Sequence, residues 1–238
     1  MKRIIRYFQG GWAAWAVLLL LVSACSKGEL AEFLNPGDSF SYTNNGPDHN
    51  DLAIGTVRSQ DGIRYIRLDA RTACLIVNPD EVKSIPDGTR VFLQYRCVVL
   101  NTPLPEFCSD AILLEWADPL NVGEVRTEPQ DRVGDPMSLI LDWITCLEDG
   151  FVTLHYAVPS KGSASHGFCL CPGKEENEYR LIHDAHGDNE GDLSDGLICF
   201  DVSALLPDTG GKTVTLSLTY LNLDKTSKTL TVDYRSPQ

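Results

Sequence analysis

From residue 51 onward the chain reads as short alternating runs of apolar and polar residues, interrupted by Gly, Pro, Asn and Asp. A period of two with turn residues between the runs predicts β-strands, and no segment sustains the 3.6-residue period of a long amphipathic helix. The clearest alternation sets Val214, Leu216, Leu218 and Tyr220 against Thr213, Thr215, Ser217 and Thr219, the pattern of a half-buried antiparallel strand. Val152, Leu154, Tyr156 and Val158 repeat it, as do Leu230, Val232 and Tyr234, and segments 139–144, 179–183 and 197–202 supply further strands. Roughly seven strands over about 100 residues predict a sandwich of two sheets packed on their apolar faces.

Upstream, five strands are expected over 52–59, 63–69, 73–77, 90–100 and 111–116, with turns at Asp61-Gly62, Asn78-Pro79-Asp80 and Asp87-Gly88. In the longest, Val91, Leu93, Tyr95, Cys97 and Val99 share one face while Gln94 and Arg96 interrupt the other, so one side is expected in a core and the other partly wet. Segment 80–85 reads as a short helix or excursion between the third and fourth strands. Five strands with that insertion suggest an OB-like barrel. Pro119, Asn121, Gly123, Pro129, Gly134 and Pro136 then mark a linker over 119–135 that is expected to hold no strand ladder. The fold class is therefore all-β, with an N-terminal OB-like β-barrel over 51–118 and a C-terminal β-sandwich over 136–238.

The first 24 residues follow a different logic. Lys2, Arg3 and Arg6 precede an apolar run from Trp12 to Val22, and Ser23 and Ala24 stand just before Cys25. That order is a secretory signal peptide, with an apolar run shorter than the roughly 20 residues a membrane span needs. The cysteine after two small residues resembles the lipobox of bacterial lipoproteins, which predicts lipidation of Cys25 and partnership with a membrane through the acyl chains. An ordinary cleaved signal is the alternative reading. Residues 25–50, rich in Asn, Pro and Gly, read as a tether, although Phe40 and Tyr42 are able to pair as an early strand. The expected location is the cell envelope, at the outer membrane, with the periplasmic or surface face left open.

Charge narrows the partners. The chain has 20 Lys and Arg against 33 Asp and Glu, and without Lys2, Arg3 and Arg6 the balance is 17 against 33, or −16. Such a field repels phosphate backbones, so nucleic acid is excluded as a partner even for an OB-like fold. Seven cysteines follow the anchor: Cys74, Cys97, Cys108, Cys146, Cys169, Cys171 and Cys199. An exported protein meets an oxidising compartment, so disulfides are expected within each domain, Cys97 with Cys108 or Cys74 and Cys146 with Cys169, Cys171 or Cys199.

The densest polar cluster is His183, Asp184, His186, Asp188, Glu190 and Asp192. Its carboxylates suit calcium and its imidazoles zinc, yet Asn189 or Leu193 stands where a calcium loop requires glycine. The plainer reading is a strand ending in a polar turn, with Asp184 and Asn189 bonding local backbone and Gly187 and Gly191 in unusual dihedrals. Ser163, Ser165 and His166 lack the spacing of a nucleophile elbow. Gly211, Lys212 and Thr213 imitate a phosphate loop whose first glycine would fall at Leu206. No catalytic residues are assigned.

The lipobox, the run TRVFLQYRCVV at 89–99, and YRLIHDAHGDNEG followed by GLICFDVSALLP at 179–207 resemble the NigD-like family of cell-envelope lipoproteins. The resemblance implies an OB-like domain followed by a sandwich, with a bacteriocin-immunity role, and brings no catalytic residues. Three functional classes stay open: a non-enzymatic lipoprotein that binds a protein partner, a lipoprotein that binds a glycan or small ligand through Trp116, Trp143, Tyr179 or Tyr220, and a hydrolase.

Overall fold

The computed structural model describes residues 51–68, 72–206, 208–210 and 212–234. Cys25 and the expected tether lie outside them. The first five strands are β1 (Asp51–Gln60), β2 (Ile63–Arg67), β3 (Ala73–Ile76), β4 (Arg90–Cys97) and β5 (Asp110–Pro119). They close into a barrel in the order β1-β2-β3-β5-β4, with β3 and β5 parallel and the other neighbours antiparallel. This is the expected OB-like barrel. The excursion between β3 and β4 is a single 3-10 turn over Pro79–Val82, held to the barrel wall by Arg64, which donates to the carbonyls of Val82 and Ile85. Val57, Ile66, Ile76, Val91, Leu93, Tyr95 and Ile112 fill the interior, as the alternation in β4 requires.

Ten more strands follow: β6 (Asn121–Val122), β7 (Glu124–Val125), β8 (Ser138–Ile140), β9 (Cys146–Glu148), β10 (Phe151–Ser160), β11 (Gly167–Pro172), β12 (Glu178–Asp184), β13 (Asp192–Asp201), β14 (Val214–Leu221) and β15 (Ser227–Tyr234). One sheet runs β6-β13-β10-β8, with β9 also pairing β10; the other runs β15-β14-β12-β11-β7. Their inner faces meet in a core that includes Met137, Val152, Leu154, Leu170, Leu181, Phe200, Leu216 and Leu218.

The segment expected to hold no ladder takes part in both sheets. β6 pairs parallel with β13 and β7 parallel with β11, so the chain crosses from one sheet to the other at Gly123. A Cβ there would fall 2.2 Å from the Phe200 ring, which is why this position holds glycine. The expected strand over 139–144 is shorter than its apolar content suggests. It ends at Ile140 because Asp142 accepts hydrogen bonds from the Ile144 and Thr145 amides and turns the chain.

The face of β4 expected to be partly wet is so at Gln94 and Arg96, while its first half, at Arg90 and Phe92, is the seam between barrel and sandwich. Ile54, Phe92, Trp116 and Leu120 from the barrel side pack on Phe151, Leu197 and Cys199 from the β13-β10 sheet and on Ile144 from the turn before β9. Arg90 lies at its centre with a fully buried side chain. It donates to Thr56 Oγ1 and Glu148 Oε2, each at 3.1 Å, and its guanidinium stands over the Phe151 ring, 5.9 Å from the centroid. Glu148 ends β9, and Asp149 and Gly150 turn the chain into β10 with φ of 50° and 83°, the two left-handed residues of a type I′ hairpin. Asp149 is gripped by Arg58 at 2.9 Å and lies 3.6 Å from Arg67. A sandwich hairpin is thus inserted among three barrel arginines.

Truncating Arg90 to alanine removes the ion pair with Glu148 and leaves a void in the seam. Arg90→Ala should lower the unfolding free energy by about 3–5 kcal/mol, the usual cost of removing one member of a buried ion pair, read as a lower urea midpoint. Arg90→Met removes the same pair but fills the void, so it should lose less.

Candidate functional site

The chemistry-bearing residues of the sandwich gather at the end where β10 and β12 run into loops. β12 ends in His183 and Asp184, and the chain reverses through His186 and Gly187, with φ of 49° and 86°, closed by the Asp188 amide donating to the Ala185 carbonyl at 2.9 Å. Asp184 accepts the His186 amide at 2.9 Å, the local backbone bond expected of it. Asp188 acts at longer range. Its carboxylate, 1% exposed, accepts the Lys161 amide at 2.9 Å, the Ser160 hydroxyl at 2.8 Å and the Ser163 amide at 3.0 Å. The Lys161 amide is the main cause holding its pKa well below the usual carboxylate range, with Ser160 and Ser163 adding to it against the opposing effect of burial.

His183 and His166 share one hydrogen bond, Nε2 to Nδ1 at 2.7 Å. His183 Nδ1 stands 3.2 Å from the Pro136 carbonyl, which only accepts, so His183 carries its proton on Nδ1 and accepts from His166 Nδ1–H. His166 Nε2 then faces Asp188 Oδ2 at 3.6 Å. Burial and the neighbouring His166 hold the His183 pKa below the ordinary imidazole value.

The weak metal candidates are therefore not brought to a common point. His183 is turned to Pro136 and His166, Asp184 pairs with Arg132 at 2.7 Å, His186 Nδ1 donates to the Ser165 carbonyl at 2.7 Å, and Asp188 clasps the 160–163 loop. Among the described residues no group of three or more His, Cys, Asp or Glu is placed to hold a metal ion. Ser163 offers its amide to Asp188, Ser165 its carbonyl to His186, and His166 its ring to His183. No serine hydroxyl is hydrogen-bonded to a histidine among the described residues.

The disulfide candidates are the seven cysteines that follow Cys25. All seven are thiols. Cys146 and Cys199 both lie opposite Thr153, on β9 and β13 to either side of β10, which puts them two strand spacings or about 10 Å apart, beyond the roughly 7 Å a bridge spans. Cys169 and Cys171 stand two residues apart on the outer face of β11, and Cys97 is exposed at the end of β4. Burial pushes the Cys146 thiol up to about 12 and those of Cys169 and Cys199 to about 11, so none of these three is a ready thiolate nucleophile near neutral pH.

Between the sheets at this end lies a cleft of about 400 Å³ whose walls include Tyr156, Phe168 and Ile198, with Arg126, Arg132 and His186 at its polar rim. Arg126 is held by Glu124 through two hydrogen bonds of 2.8 and 2.9 Å. Tyr156 and Phe168 meet at 4.4 Å. Gly196, opposite Tyr156 on β13, makes room for it, because a Cβ there would fall 2.8 Å from the Tyr156 hydroxyl. The aromatic candidates read from the sequence are elsewhere. Tyr179 and Tyr220 pack in or against the sandwich core, and Trp116 and Trp143 flank Phe92 at the seam.

A second polar cluster lies near that seam. The buried His155 ring bonds Asp142 Oδ2 at 2.8 Å and Asp195 Oδ2 at 3.0 Å. His155, the one member of this cluster on β10, carries no signal in the sequence because it sits in an otherwise apolar run.

Residues 122–234 match the NigD-like C-terminal β-sandwich domain. The C-terminal part of the chain therefore carries a NigD-like domain. Solved structures with the same fold include a candidate toxin-related protein from Parabacteroides distasonis, at 18% identity and TM-score 0.65 over 79% of this chain and 94% of that one. They include a NigD-like immunity protein from Bacteroides caccae, at 18% identity and TM-score 0.54 over 77% and 96%. A candidate lipoprotein from Bacteroides fragilis aligns at 12% identity and TM-score 0.56 over 80% and all of its chain. These identities establish a shared fold. Among curated proteins no significant match is found. The NigD-like domain boundary at residue 122 falls at the crossing between β6 and β7, where the structure joins the two sheets.

The His155 clamp gives this NigD-like sandwich a pH signature. Burial opposes the imidazolium, but the hydrogen bonds and charges of Asp142 and Asp195 outweigh it and raise the pKa to about 9. The clamp's stabilisation is therefore complete below the ordinary imidazole pKa of about 6.5 and is lost as pH rises through about 9, amounting to no more than about 3 kcal/mol. Urea titrations at pH 6 and pH 10 should show a larger loss for the wild type than for His155→Gln; equal losses would assign the alkaline instability to other groups.

Proposed function

We propose that the protein is a lipid-anchored module of the bacterial cell envelope that binds a protein partner without catalysing a reaction, and that bacteriocin immunity is its specific role. The observation that carries this reading is the NigD-like sandwich itself, joined to a chain whose Cys25 follows Leu21, Val22, Ser23 and Ala24 behind a basic and apolar start. The structural likeness to a protein named as a NigD-like immunity protein supports the specific role, and the likeness to a candidate lipoprotein supports the location.

The polar clusters support a non-catalytic reading. His155, His183 and Asp188 are buried and engaged in holding strands and loops together. The thiols of Cys146, Cys169 and Cys199 are held protonated by burial. A glycan reading is less well supported, because Trp116, Trp143, Tyr179 and Tyr220 form no shared platform. The acyl chains on Cys25 would hold the barrel and sandwich at the membrane, since two or more chains give lasting anchorage where one gives only reversible binding.

Cell fractionation tests the anchor: Cys25→Ala should move the protein from the membrane to the soluble fraction, and retention at the membrane would contradict lipidation at this residue. Deleting the gene should raise sensitivity to a bacteriocin, and unchanged sensitivity across a panel would remove the immunity role.

A further inference from the structure

β13 is ten residues long and pairs with β10 along all of it, from Asp192 opposite Ser160 to Asp201 opposite Phe151. On its other side β6 reaches only Ile198 and Cys199. Among the described residues, no strand lies beside 192–197 on that side. Register shows which backbone groups are left there. Cys199 accepts the Gly123 amide through its carbonyl, so Cys199 turns its polar groups away from β10. With a strand period of two, Leu197, Asp195 and Leu193 turn theirs the same way. Asp192, Leu193, Ser194 and Asp195 are all exposed, Leu193 by 62%.

The open edge borders the cleft. Gly196 and Ile198 are the β13 residues on its inner face, and the Tyr156 hydroxyl emerges beneath Gly196. A long bare edge invites a further strand, and natural sheets protect such edges with charge. Here the edge carries Asp192 and Asp195: Glu190 just before them is paired with Lys161 at 2.7 Å, while Asp195 shares the His155 ring with Asp142, two carboxylates to one imidazole. A second copy pairing antiparallel through the same edge would bring aspartates toward aspartates. An incoming strand bearing Lys or Arg would meet them favourably, with an apolar side chain on its inner face reaching Tyr156 and Phe168.

We infer that the β13 edge at Asp192–Leu197 is a strand-addition site for an extended basic peptide segment of a protein partner, an inference that rests on the partner-binding reading above. Main-chain hydrogen bonds to Leu193 and Asp195 supply the affinity, and the carboxylates with the cleft supply the selectivity.

The test uses the full chain purified in detergent and a fluorescent Lys-Val-Lys-Val-Lys-Val peptide, with binding read by anisotropy. The Lys-Val peptide should bind and a Glu-Val counterpart should not. Methylating every backbone amide of the probe prevents strand pairing in either direction and should abolish binding whatever the protein variant. Leu193→Pro removes an amide on the bare edge while sparing the β10 ladder, and should weaken binding at least about fivefold. Asp192→Lys should weaken it by up to about fivefold. Absence of binding, equal binding of the Lys-Val and Glu-Val peptides, or full binding of the methylated probe would each overturn the inference. A dimer in sedimentation that Leu193→Pro dissolves would overturn it in favour of a second copy. Loss of the peptide site with bacteriocin protection intact would remove this edge alone and leave the proposed function standing.

Discussion

The structure depends on a guanidinium buried between two domains. Arg90 begins β4, and its side chain leaves the barrel to meet Glu148 and Phe151 of the sandwich. A charge taken out of water is tolerated only when paired and hydrogen-bonded, so Arg90 ties the position of the β9–β10 hairpin to the barrel wall. Arg58 and Arg67 repeat the arrangement on Asp149, the next residue of the same hairpin. Around these pairs, Ile54, Phe92 and Leu120 remove apolar surface from water against Phe151 and Leu197. Apolar burial supplies the driving force for docking, and the arginines fix its register.

That constraint reaches the far end of the sandwich. β10 begins at the hairpin clasped by the barrel and ends at Ser160, whose hydroxyl bonds Asp188. Along the strand, Val152 and Leu154 face the sandwich core while His155 is clamped between Asp142 and Asp195. One rigid strand therefore connects the seam, the His155 clamp and the loops beside the cleft. The crossing at Gly123 adds a second connection, since β6 and β7 close part of one edge of each sheet directly after the last barrel strand. What stays open is the stretch of β13 they do not reach. The result is a body suited to presenting a fixed surface.

Much of this was legible in the chain. The alternation of β4, β10 and β14 located their cores, and turn residues separated the barrel strands correctly because Asp61-Gly62 and Asp87-Gly88 have few other uses. The linker was misread: Pro119, Asn121 and Gly123 look like coil, but a two-residue strand on each side of a glycine carries no periodic signal. β11 was missed because Cys169 and Cys171 interrupt its apolar pattern. The partly wet face expected for β4 from Gln94 and Arg96 gave no sign that Arg90, on the same face, is buried, because its partner carboxylate lies 58 residues downstream. Tyr156 looked like ordinary core. Gly196 inside a strand was the available clue that a side chain passes close to the backbone there. Family resemblance conveyed the architecture, and local chemistry conveyed almost none of the long-range pairing.

The central claim is that barrel and sandwich are one mechanical unit locked by buried arginine–carboxylate pairs. Differential scanning calorimetry of the intact chain tests it most directly. One cooperative transition, with calorimetric and van't Hoff enthalpies in agreement, is the predicted result. Two separated transitions, one for each domain, would contradict it.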